Sequence, residues 1–232
     1  GTKEHIIQKY SSFYSDWLIH QPFHRCLLIG GNHDKYLETL SKEEIESIFP
    51  QQSQVLSQLV SSSLCDKEVF YLRNQMIQID GKISVFGTPL SYGASTNDAF
   101  QSIEFEEETI RALESNKDSP IDLFISHGPI FPYSSAVGHL VRPQLFHAHG
   151  HLHYDVGCRL IPLDEVDNKK GVANIDSSQH VVTLNASLMD MNYEARELPL
   201  VIDVILIEKD EVNQEKGVLN QYHSCLLYTS PS

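Results

Sequence analysis

Three short apolar runs in this chain each break off into a loop of glycine and histidine. No other feature constrains the fold as much. Cys26-Leu27-Leu28-Ile29 runs into Gly30-Gly31-Asn32-His33-Asp34, and Ile121 to Ile125 runs into Ser126-His127-Gly128-Pro129. Gln144 to Ala148 runs into His149-Gly150-His151-Leu152-His153. Brief apolar runs bounded by turn residues read as buried strands. In layered folds of strands and helices, sites form where loops converge at strand ends. A chain that places imidazoles there three times is expected to bring them together.

The remaining pattern mixes both kinds of element. Ile6, Tyr10, Phe13 and Trp17 follow the spacing of one apolar helix face. Ser41 and Glu44 form a capping-box signal for a helix to about Phe49, and Val55 to Leu64 suits another. Ile77 and Ile79 alternate with polar residues up to Asp80-Gly81, and Ile83 and Val85 resume the alternation, as in a hairpin with a two-residue turn. Ile103 to Leu113 reads as an amphipathic acidic helix; Val181 to Leu184 and Leu200 to Ile207 read as strands. The fold class is therefore α/β or α+β with more than one sheet. Without an internal repeat or a Gly/Ser linker, residues 1–223 form a single expected domain. Ser224 to Ser232, SCLLYTSPS, resembles translated adaptor or vector sequence and is set apart as a non-native tail.

Charge narrows the partners. Lys and Arg number 17 and Asp and Glu 31, so the net charge over 232 residues is 17 − 31 = −14. Such a chain repels a phosphate backbone, so no nucleic-acid partner is expected. A small phosphate substrate is still compatible, because a bound divalent ion reverses the local field. No membrane contact is expected: the most apolar stretch, Pro199 to Ile207, is short and carries Asp203. Cys26, Cys65, Cys158 and Cys225 are scattered, as reduced thiols in a cytoplasmic protein would be.

Asn32, His127, His151 and His153 have the donor types that suit a borderline divalent ion, imidazole nitrogen and amide oxygen. His151 and His153 stand two apart, so they face the same way in an extended segment and reach adjacent ions from a tight loop. Gly30, Gly31, Gly128 and Gly150 allow close approach beside them.

Taken in order, Gly31-Asn32-His33-Asp34, Ser126-His127-Gly128 and Gly150-His151-Leu152-His153 resemble the calcineurin-like metallophosphoesterases. Asp16-Trp17-Leu18, Phe86-Gly87-Thr88-Pro89, Gly138-His139 and Asn185-Ala186-Ser187-Leu188 are similar to the subgroup of small metallophosphoesterase-domain proteins related to the brain protein 239FB. The resemblance spans about Ser12 to Ile207. It implies a four-layer α/β/β/α sandwich with two mixed sheets and two divalent metal ions (Mn, Fe or Zn) between them. Asn32, His127 and His151 would hold the second ion and His153 the first. A metal-bridging hydroxide would attack phosphorus, and His33 would be the catalytic acid at the leaving oxygen. The chemistry is physically coherent: a metal brings the pKa of bound water to about 7, and paired ions about 3.5–4 Å apart stabilise entering and leaving oxygens. An unperturbed imidazole titrates near neutrality and can donate the proton. The substrate would be a small phosphoester, a phosphodiester by analogy with the subgroup.

The chain departs from the family at one point. The family pattern begins with Asp-x-His and then Gly-Asp, and neither pair occurs here. The expectation is that the first strand and second motif lie upstream of Gly1, and that this chain holds one ion tightly or none and is weakly active or inactive. Two other functional classes compete: a non-catalytic scaffold or interaction protein on the same fold, and a structural zinc module. Retention of His33 favours the enzyme. A structural zinc site would need a closed set of four ligands.

Other positions carry softer expectations. His147 and His149 lie on a strand and suit core roles or support of the ligands. His139 is either a substrate contact or a surface residue. Asp34 orients His33, caps a helix or is simply solvated. Asn185-Ala186-Ser187 is formally a glycosylation sequon but reads as a strand end packed near the site. Glu104 to Glu108 is a solvated helix face. Tyr92, Phe131 and Tyr133 line a pocket or pack in the core.

Overall fold

A computed structural model describes residues 2–21, 23–50, 68–93, 96–102, 104–115, 120–130, 146–154, 156–162, 180–188, 192, 201–202 and 227–228. The expected helix at Val55 to Leu64, His139, Phe131, Tyr133 and the strand beyond 202 lie outside these residues.

The chain opens with helix α1 (Lys3–Ser12), which runs into a π-helical turn (Phe13–Trp17) and a 3-10 turn (Leu18–His20). The wider π turn absorbs an extra residue. The buried stripe therefore passes through Ile6, Tyr14 and Leu18 instead of ending on Phe13 and Trp17. Those two are 40% and 52% exposed and stack on each other at 5.2 Å. Strand β1 (Arg25–Leu28) leads through the Gly30-Gly31 loop into helix α2 (Lys35–Thr39), and helix α3 (Lys42–Ile48) follows. Ser41 and Glu44 form the full capping box at α3: the Ser41 hydroxyl accepts from the Glu44 N–H, and the Glu44 carboxylate accepts from the Ser41 N–H.

Strand β2 (Glu68–Tyr71) pairs with β1 in parallel. Tyr14, Leu18, Leu37, Ile48, Phe49, Val69 and Phe100 form the core of this half. Strands β3 (Gln75–Ile79) and β4 (Ile83–Thr88) make the expected hairpin. Asp80 and Gly81 both have positive φ, and the Lys82 N–H donates to the Ile79 carbonyl. The last register pair is Ile79 with Ile83, so three residues lie between the paired positions, one more than expected. Helix α4 (Phe105–Glu114) then precedes β5 (Leu123–Ser126), β6 (Phe146–His149), β7 (Gly157–Pro162) and β8 (His180–Asn185). Two short strands, β9 (Val201–Ile202) and β10 (Leu227–Tyr228), pair antiparallel, which brings part of the segment set apart as a tail into contact with residues 201–202.

The main sheet has six strands in the order β3-β4-β5-β6-β8-β7. Its four central strands are parallel and its two outer pairings antiparallel. Phe86 and Phe124 are register partners, stack at 5.4 Å and anchor a core with Leu90, Leu113, Ile121 and Ile130. Arg25 of β1 forks onto both Asp80 carboxylate oxygens (2.6 and 2.7 Å) and also meets Glu68, tying the small sheet to the hairpin of the large one. The architecture is thus mixed α/β, with a mixed six-stranded sheet and a two-stranded parallel sheet where the sequence reading expected two mixed sheets.

Parallel strands end on the same side. Thr88, Ser126, His149 and Asn185 occupy one transverse register row at that end, and all four are buried. A buried polar row at the carboxyl edge of a parallel sheet has to be hydrogen-bonded. The loops just beyond it supply the partners.

Candidate metal centre

The strand ladder continues past the strand ends. The His127 N–H donates to the Thr88 carbonyl (3.2 Å), the Gly150 N–H to the His127 carbonyl (3.0 Å), and the Ala186 N–H to the His149 carbonyl (2.8 Å). The loops after β4, β5, β6 and β8 are therefore registered to one another by backbone. Ser126 reinforces this: its hydroxyl donates to the Gly128 carbonyl (2.6 Å) and accepts from His147 Nε2 (2.7 Å). His147 is fully buried, and burial holds its pKa well below the ordinary imidazole value, so it stays neutral. His147 and His149 are thus strand residues that support the loops, in line with their sequence reading.

The small sheet supplies the other wall. After β1, the Asp34 carboxylate accepts from the Gly31 N–H (2.8 Å) and from the Tyr10 hydroxyl (2.9 Å), while the Asp34 N–H donates to the Gly31 carbonyl (2.9 Å). Asp34 thereby closes the GNHD turn and ties it to α1; its side chain does not cap α2. Burial and the neighbouring carboxylate push the Tyr10 phenol upward, so it remains a donor. None of the readings of Asp34 from sequence included this role.

These two walls meet at Asn32 and His127. His127 Nε2 donates to Asn32 Oδ1 at 2.9 Å. The His127 and His151 rings lie edge to face with centroids 4.8 Å apart. Gly31 lies flat against His127: a Cβ there would fall 2.7 Å from Cε1 and 2.9 Å from Nδ1. Gly128 is equally constrained, since its Cβ would fall 2.7 Å from Ser91 Cβ. These contacts explain why glycine flanks both Asn32 and His127.

His33 is exposed beside this cluster, and Asn97 Nδ2 donates to its Nε2 at 3.4 Å. Helix α2 arranges the encounter. Its Lys35 pairs with Asp98 (2.5 Å), and its Glu38 accepts from the Phe100 N–H (2.9 Å). Nothing in the residue order around Asn97 signals this contact. His153 is half-buried and close enough to disfavour the charged forms of His127 and His151. Tyr92 is exposed and lines no core.

Burial, aided by His151, His33 and His153 nearby, lowers the His127 pKa to about 4. Burial also lowers His151. Both imidazoles are therefore neutral at physiological pH, the form that coordinates a metal. With the His127 proton moved from Nε2 to Nδ1, the 2.9 Å separation of Asn32 Oδ1 and His127 Nε2 would suit two ligands at about 2.1 Å from one ion and roughly a right angle apart. Among the described residues, no group of three or more His, Cys, Asp and Glu side chains is disposed to hold a metal ion. The donors brought together here are imidazoles and one amide oxygen. A cavity of about 360 Å³ lies elsewhere, between α3 and the end of β2, lined by Ile45, Phe49, Tyr71 and Arg73.

No protein-family profile and no curated protein matches this chain. Among the described residues, no helix is long and apolar enough to cross a membrane.

Proposed function

We propose that this chain is a metal-dependent phosphoesterase related to the calcineurin-like metallophosphoesterases, acting on a small phosphodiester. One observation carries the reading: Asn32, from the loop after β1, meets His127, from the loop after β5, at 2.9 Å, and the His151 ring lies edge to face with His127. The three motif loops thus converge at the junction of a small and a large sheet. A two-sheet sandwich of the metallophosphoesterase type is the architecture that this convergence supports.

Asn32, His127 and His151 would hold the ion, with His153 the candidate for a second. An ion there supplies Lewis acidity toward a phosphoryl oxygen and acidifies water. The protein's own part follows from its environment. Burial keeps His127 and His151 neutral and available as donors. Gly31 and Gly128 leave their neighbours room to approach. His33 is exposed, not packed into the cluster, so its ring can reach a leaving oxygen and deliver a proton there. The Asn97 amide lies 3.4 Å from Nε2 of that ring.

The deciding experiment is ion binding, followed by turnover. One equivalent of Co²⁺ or Mn²⁺ should bind, and His127→Ala should weaken it at least tenfold. Mn²⁺ should then stimulate hydrolysis of bis(p-nitrophenyl) phosphate, and EDTA should abolish it. Because the chain lacks the Asp-x-His and Gly-Asp pairs, turnover is expected to be weak, and the ion titration decides: Co²⁺ affinity unchanged in His127→Ala overturns the reading.

A further inference from the structure

His151 sits in a backbone conformation that side chains rarely adopt. Its φ is +65°, and the Leu152 N–H donates to the Gly150 carbonyl at 2.7 Å across it. This is the positive-φ form of the γ-turn, which is rare and strained. A non-glycine residue there persists only when its surroundings over-determine it. The source of that constraint is visible one strand away. Asn185 ends β8, is 4% exposed, and is the register partner of His149. One carboxamide Nδ2 donates to the Leu152 carbonyl (2.9 Å) and to the Tyr154 carbonyl (2.8 Å). Its Oδ1 accepts from the Ser187 N–H (3.2 Å). Both amide protons and the amide oxygen are engaged, and the two carbonyls held are those either side of His153.

We propose that Asn185 is a positioning residue of the histidine site: its carboxamide clamps the Leu152 and Tyr154 carbonyls and so locks the strained turn that sets His151 against His127. The clamp is rigid at both ends. Asn185 lies in the buried polar row, and the Ala186 N–H after it donates to the His149 carbonyl. The loop from Gly150 to Tyr154 is thereby held at its start by the ladder and at its far side by the amide. Only a side chain with two adjacent protons on one short stem can bridge carbonyls of residues 152 and 154 from this strand. Serine offers one donor, leucine none. The same geometry leaves no amide proton accessible for sugar attachment at the Asn185-Ala186-Ser187 sequon.

The proposal deepens the metal reading and rests on it for the role of His151, so the test separates the two. Asn185→Leu removes both donors at similar size without adding charge, and Asn185→Ser keeps one. Thr183→Val, buried on the same strand, serves as a packing control. Two quantities are read: hydrogen exchange of the amides from His151 to Tyr154, and Co²⁺ affinity. Exchange should accelerate at least tenfold in Asn185→Leu and less in Asn185→Ser, with the β3–β4 hairpin amides unchanged. Co²⁺ affinity should fall in the same order, by tenfold or more for Asn185→Leu, and stay near wild type in Thr183→Val. If Asn185→Leu does not fold, Asn185→Ser against Thr183→Val makes the same comparison. Unchanged exchange at residues 151–154, or an affinity loss equal to that of a control with the same loss in Tm, overturns the proposal. If the wild-type chain binds no Co²⁺, the metal reading fails, and hydrogen exchange alone decides whether Asn185 locks the turn.

Discussion

Asn32 Oδ1 and His127 Nε2 lie 2.9 Å apart although 95 residues separate them in the chain, and they arrive from different sheets. Neither β1 nor β5 could create this contact alone. It exists because the loop after β1 is closed by Asp34 and the loop after β5 is held on the ladder by Thr88 and Gly150. The predictions below test what the contact is for.

The first concerns stoichiometry. With Asn32, His127 and His151 as the proposed ligands of one ion, dialysed protein should carry at most one tightly held divalent ion per chain. Elemental analysis reads this directly. Two retained ions per chain would require further donors beyond this set.

The second separates the acid from the ligands. In a version supplied with the Asp-x-His and Gly-Asp motifs, His33→Ala should leave ion binding intact and slow hydrolysis by roughly 10²–10⁴-fold for alkoxide leaving groups, the usual range for general acid catalysis. Nitrophenolate, which departs unaided, should suffer less. His151→Ala should instead lower ion occupancy and slow all substrates alike. A His33→Ala protein that loses its ion, or slows both kinds of substrate equally, would make His33 a ligand or a positioning residue.

The third concerns pH. The His127 pKa is depressed to about 4 from 6.5 in the folded protein. Between those values the unfolded chain binds a proton that the folded chain refuses, so stability falls as pH drops through 6.5 and levels off below about 4. The full loss from this one group is roughly 3 kcal/mol. His147, His149 and His151 are also depressed and act in the same direction. Denaturant midpoints measured from pH 7 to pH 5 should decline, and His127→Gln should flatten the slope. An unchanged slope in that variant would show that His127 is not the group refusing the proton.

The fourth concerns the close approach at Gly31. A methyl group there would press on the His127 ring, so Gly31→Ala should destabilise the fold by about 1–3 kcal/mol, the range for overpacking. It should also weaken ion binding through the displaced imidazole. Calorimetry and Co²⁺ titration check the two effects separately, and an ion affinity equal to wild type would mean that His127 can shift without consequence.

Much of this was legible from residue order. The apolar runs ending in GNHD, SHGP and GHLH became β1, β5 and β6, and their loops converge as expected. Ser41 and Glu44 gave the cap of α3 because capping is local. What escaped the sequence depends on distant parts of the chain. Asn97 reaches His33 only through the Lys35–Asp98 and Glu38–Phe100 contacts. Asp34 serves its own loop and a tyrosine on α1, a partner 24 residues earlier. The apolar face of the first helix was misplaced because a π turn shifts the register after Ser12, and nothing in the run of Phe13 to Trp17 announces one.

The transverse row of Thr88, Ser126, His149 and Asn185 has a kinetic corollary. Loops fastened to a sheet by its own ladder are ordered when the sheet forms, so a ligand meets donors already in place and the entropy of arranging them has been lost beforehand. Capture should then follow simple second-order kinetics, with the observed rate linear in ligand concentration and no slow unimolecular phase behind it.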